Sequence, residues 1–73
     1  MNNNTTCIQI VKRYIEKKGA STELEILLNG IEKENFLYLD MIPTDLMKEL
    51  MPKSTQLKWT RKADQSGRQA ANN

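Results

Sequence analysis

Residues 36–42, Phe-Leu-Tyr-Leu-Asp-Met-Ile, put six large apolar side chains into seven consecutive positions. In a chain of 73 residues this run limits the fold more than any other feature, because a domain so small buries only about 60% of the surface its unfolded chain exposes. Periodicity does not separate a strand from a buried helix in such a run. Its aromatic residues favour an extended chain, and Pro43 pushes Ile42 out of the helical region.

Two amphipathic stretches precede the run and are its natural cover. Thr6 and Gln9 make a capping-box pattern ahead of Ile8, Val11 and Ile15, with Ile10 and Tyr14 beside them, which predicts a helix over 7–18. Lys17 and Lys18 suit its negative end, and Gly19 can take the left-handed conformation that stops it. Thr22 and Glu25 repeat the pattern ahead of Leu24, Leu27, Leu28 and Ile31, with Gly30 as the stop, so a second helix is expected over 22–29. The connection between them is short, which packs the helices as a hairpin or a crossed pair. After the run, Thr44 reads as the cap of a short third helix holding Leu46, Met47, Leu50 and Met51, ended by Pro52. Leu57-Lys58-Trp59 alternates as an edge strand does and can pair with 37–41; otherwise the Trp59 ring packs on the helices or stays exposed. The expected fold is a mainly α single domain of two capped helices and a short third. A two-stranded pairing of 37–41 with 57–61 is open to it.

The net charge of +2 conceals a division. Residues 1–52 carry six Lys and Arg against eight Asp and Glu, whereas residues 53–73 carry five against one. From residue 63 the sequence has no large apolar side chain and cannot offset the entropy of ordering itself, so 63–73 is expected to be a disordered tail. Residues 1–4 are polar and expected to fray, leaving 5–62 as the binding domain.

Chemistry is scarce. There is no histidine and one cysteine, so the commonest general base and the usual zinc ligand sets are missing, and neither an enzyme nor a cofactor or metal site is expected. Cys7 lies where a helix start can activate a thiol, but a small apolar residue on the packed side is the simpler reading. Lone-cysteine usage, with no signal-peptide or bilayer-length apolar stretch, fits a soluble intracellular protein.

Binding is what remains. The crowding at 36–42 exceeds what two helices can cover, so part of it is expected at the surface as a docking strip, with Leu37, Tyr38, Leu39 and Met41 as contacts. Lys12, Arg13 and Lys17 form a basic cluster suited to steering an acidic partner, or simply a solvated face. Trp59, Arg61 and Lys62 form a charged arm with one aromatic ring, able to reach a second protein surface or nucleic acid nearby. A helix-turn-helix repressor built from 7–18 and 22–29 is the alternative. With Gly19 in the motif's turn, however, Ile15, Lys18 and Glu25 occupy diagnostic positions with the wrong residue types, and Glu23 and Glu25 would face phosphates.

The Met-Asn-Asn-Asn start, the helical half 6–30, the Leu-Tyr-Leu-Asp-Met-Ile-Pro-Thr-Asp-Leu-Met-Lys-Glu-Leu centre and the Gly-Arg-Gln-Ala-Ala-Asn-Asn end together resemble the small transcription regulators of lytic Xanthomonas phages. The likeness spans all 73 residues. It implies a monomer, in the host cytoplasm, that binds host RNA polymerase through the β′ N-terminal region and the β subunit. It further implies host takeover by inhibition of transcription initiation, through σ displacement, and antitermination. It carries over no catalytic residue.

Overall fold

A computed structural model describes residues 4–65. The chain forms helix α1 (Asn4–Lys18), helix α2 (Thr22–Asn29), a π-helical turn (Gly30–Glu34), strand β1 (Phe36–Tyr38), a 3-10 turn (Leu39–Met41), helix α3 (Thr44–Leu50), a second 3-10 turn (Met51–Lys53) and strand β2 (Lys58–Thr60). It is a small, mainly α domain with a two-stranded sheet. The strands run parallel, with Phe36 opposite Lys58, Leu37 opposite Trp59 and Tyr38 opposite Thr60. A parallel pair needs a crossover between its strands, and here α3 and its flanking turns supply it.

The helices stand where the apolar stripes put them, but their ends are set differently. Helix α1 begins by Asn4, not after Thr6, because the Asn4 amide is buried and donates to the Asn35 side chain across the chain. That tertiary bond extends the helix past the local cap, and residues 1–3 lie outside the described residues. Gly19 ends α1 as expected, at φ 97°, its N–H donating to Ile15 at 2.7 Å. At α2 the capping side chain is Ser21, whose Oγ accepts from the Leu24 N–H at 3.2 Å; Thr22 is the first helical residue. Thr44 likewise lies inside α3. Pro43 holds the cap position with an extended backbone, and the Asp45 carboxylate accepts the Leu46 N–H at 3.0 Å.

Gly30 does not stop α2. Its backbone is right-handed helical, φ −59° and ψ −42°, and the chain continues through the π turn to Asn35, which at φ 58° takes the left-handed conformation and donates its N–H to the Gly30 carbonyl. Glycine is needed at 30 for space: a Cβ there would lie 2.5 Å from Tyr38 Cε2 and 2.8 Å from Cδ2. The ring in that space is also held at its hydroxyl, which donates to Glu34 at the end of the same π turn. Phe36 packs edge-on against it, centroids 5.9 Å apart.

The core joins Cys7 and Val11 of α1, Leu24 and Leu27 of α2 and Ile31 of the π turn to Leu37, Ile42, Leu46, Leu50 and Leu57. Tyr38 is buried beside it. Beyond β2, residues 62–65 form a helical turn, with the Asp64 and Gln65 N–H groups donating to the Arg61 carbonyl. The first three residues of the expected tail, 63–65, thus lie in a helical turn that is capped from the body, as described below. Residues 66–73 lie outside the described residues.

Gly to Ala in a helix ordinarily stabilises by about 0.5–1 kcal/mol. At Gly30 the sign reverses: Gly30→Ala drives a methyl into the Tyr38 ring and lowers stability by about 1–3 kcal/mol. Urea denaturation of the two proteins measures this, and an unchanged or raised midpoint contradicts it.

Candidate functional site

The central strip does not form one surface. Leu37 is 0% and Tyr38 2% exposed, so these two expected contacts belong to the interior. Leu39 and Met41, the other two expected contacts of the strip, are half-buried on the 3-10 turn that follows β1. Both residues that follow Phe36 in β1 are buried, Leu37 in the apolar core and Tyr38 in the space that Gly30 leaves. Asp40 then splits the run with a turn, and Leu39 and Met41 are left at its margin. The signal was present in the sequence, as the one charged residue inside the apolar stretch. Met41 lines an open groove of about 450 Å³ with Tyr14, Lys18, Ala20, Leu24 and Ile42.

The basic cluster on α1 is exposed throughout. The Lys12 ammonium lies 3.9 Å from Glu32, an ion pair between exposed groups that contributes little to stability. Arg13 and Lys17 border a second open groove, of about 560 Å³, whose opposite wall carries Asp45 and Glu49 of α3. Tyr14 crosses between the helices, its hydroxyl donating to Asp45 at 2.9 Å. That bond is the main reason the Asp45 carboxyl sits below the usual carboxylate range, while the Tyr14 phenol is raised by burial first and then by the same bond. This groove therefore presents cations beside carboxylates.

The arm is built by two residues that sequence reasoning had not singled out. Asp40 accepts the Lys62 N–H at 2.8 Å and the Ala63 N–H at 3.1 Å, capping the helical turn at 62–65 from 22 residues away. A carboxylate in this position satisfies amides that the turn's own chain leaves open. Lys62 is thereby drawn over the Tyr38 ring, its ammonium 5.1 Å from the centroid. Ser54 holds Trp59: the indole N–H donates to both the Ser54 carbonyl and its hydroxyl oxygen, each at 3.2 Å. Arg61 is exposed and touches Asp64 at 3.4 Å. Neither Asp40 nor Ser54 could have been found from local spacing, since each acts through a contact that exists only once the chain has folded.

Cys7 is fully buried, its thiol donating to the Lys53 carbonyl at 3.1 Å, and burial pushes its pKa up. Burial outweighs the nearby helix start, and the thiol is a packing group. Ellman's reagent should leave native protein unlabelled and react with Cys7 only after denaturation; rapid native labelling contradicts this.

The titration of Asp40 tests the cap. Burial raises its pKa, but the hydrogen bonds from Lys62 and Ala63, its own amide and the Arg61 charge outweigh that, and the net shift is downward. A depressed carboxylate stabilises docking of the arm above its unfolded value, about 3.9, and the contribution is lost as pH falls through the folded value. The Lys62 and Ala63 amide resonances should titrate together with a midpoint below that of a free aspartate, and Asp40→Ala should speed tryptic cleavage after Arg61 and Lys62. A midpoint at or above the free value contradicts the cap.

Comparison with protein-family models, with curated proteins and with solved structures finds no match for this chain.

Proposed function

We propose that this chain is a non-catalytic, phage-encoded regulator that acts as a monomer in the host cytoplasm by docking on RNA polymerase. In this reading it contacts the β′ N-terminal region and the β subunit, inhibits initiation by promoting σ displacement, and antagonises termination. The identity of the target rests on the likeness of the whole sequence to the phage regulators. The observation that carries the docking mode is the placement of two contact regions on separate elements of one small core: the exposed ridge of Arg13 and Lys17 on α1, and the arm made by exposed Trp59 in β2 with exposed Arg61 and half-buried Lys62 just after it.

Two weak contacts fixed on one rigid body gain from effective concentration when both engage the same large target. A domain of this size can then compete with a much larger factor. Leu39 and Met41 add apolar area at the margin of the core. Basic side chains at the rim accelerate encounter more than they hold the complex.

Tagged protein passed through host lysate should retain the polymerase subunits. Arg13→Glu with Lys17→Glu should slow association at low salt by about tenfold. Retention of other complexes without polymerase overturns the reading. Leu37→Ser does not test the docking strip, because Leu37 is part of the core and a serine there is expected to destabilise the fold.

A further inference from the structure

Trp59 is the chain's one tryptophan and, among the described residues, the large hydrophobic side chain left exposed, at 49%. It is not loose. Its indole N–H is held by Ser54, which is itself fully buried and donates its hydroxyl to the Met51 carbonyl at 2.9 Å. An indole fixed by its nitrogen edge keeps a set orientation while much of its hydrocarbon surface meets water, so a partner that covers it does not have to order it first.

The charge along this segment is one-sided. Residues 53–65 carry four cations, Lys53, Lys58, Arg61 and Lys62, against Asp64 alone, whereas the preceding 52 residues carry an excess of acid. Lys53 and Lys58 are exposed and in no ion pair among the described residues. The Arg61 contact with Asp64 joins side chains 63% and 54% exposed and leaves the guanidinium available. An exposed aromatic surface in the same short segment as exposed cations matches a base with its flanking phosphates, because stacking covers the ring and the cations release condensed counterions.

We infer that Trp59 is a stacking platform for single-stranded nucleic acid, with Lys53, Lys58 and Arg61 neutralising the neighbouring phosphates. A duplex is excluded as the occupant because its base faces are already stacked on one another. Neither stacking nor phosphate contact depends on the sugar, so DNA and RNA single strands bind alike. The inference uses no part of the polymerase reading, and either can fail without the other.

The test uses the full chain and a labelled oligothymidylate of about 12 nucleotides, within the span of known single-strand sites. Because Trp59 is the one tryptophan, quenching of intrinsic fluorescence reports its contact directly. Quenching that saturates and weakens with salt is expected, with an oligouridylate of equal length binding comparably and a duplex of equal length at least tenfold more weakly. Trp59→Leu keeps apolar bulk without a π surface and should lose about tenfold in affinity by anisotropy, while Trp59→Phe retains most of it. Lys58→Glu, at an exposed position, should weaken binding and flatten the salt slope, and it carries the test if Trp59→Leu perturbs the fold. Absence of quenching, duplex binding as tight as the single strand, or an acidic peptide that quenches as strongly as the oligonucleotide overturns the inference. So does unaltered affinity in both Trp59→Leu and Lys58→Glu.

Discussion

Asn35 ties together three parts of the chain that are far apart in sequence. Its left-handed backbone closes the π turn on the Gly30 carbonyl, its side chain receives the Asn4 amide, and its carbonyl accepts the Lys58 N–H at 3.0 Å. The first of these ends the helical half, the second sets where α1 begins, and the third starts the parallel sheet. A left-handed conformation costs an ordinary residue about 1–2 kcal/mol and costs asparagine less. One tolerated strain therefore permits a sharp reversal from helix to strand, and the apolar run is delivered directly onto the faces of α1 and α2.

The second dependence runs through Tyr38. The ring can lie flat against the chain because Gly30 has no side chain, and it is secured by Glu34. Burial, and then the hydrogen bond to and the charge of Glu34, push the phenol up to about 12, so the neutral form is kept well above the usual tyrosine range. A neutral ring with Lys62 over its face, and Asp40 capping the turn that Lys62 begins, joins the last described segment to the centre of the domain. The basic arm is thus positioned by the same run of residues that supplies the core. The functional region and the packing are not separable here: Tyr38 serves the arm from inside.

Much of the architecture could be read from spacing. The stripes of α1 and α2, the stop at Gly19 and the short helix after Pro43 follow from local pattern, because an apolar period decides which face must be buried; the pairing of 37–41 with 57–61 was one of the readings left open, and it forms over 36–38 and 58–60. What local pattern did not reach were the helix ends and the strip. Asn4, Ser21 and Asp45 cap or extend helices where Thr6, Thr22 and Thr44 had been expected: Asn4 through a tertiary bond to Asn35, Ser21 and Asp45 as the neighbouring local acceptors. Leu37 and Tyr38 had been expected at the surface on the argument that two helices could not cover six apolar residues. The π turn, α3 and Leu57 supply the missing cover.

The sequence by itself determined the helical half, the charge division between residues 1–52 and 53–73, and the absence of histidine, all of which are properties of order and composition. Only the tertiary structure decided which apolar residues remain accessible and how the basic arm is held. Burial, the Asp40 cap over 22 residues and the clasp of Ser54 on Trp59 depend on which groups are brought within hydrogen-bond distance, and that is set by packing.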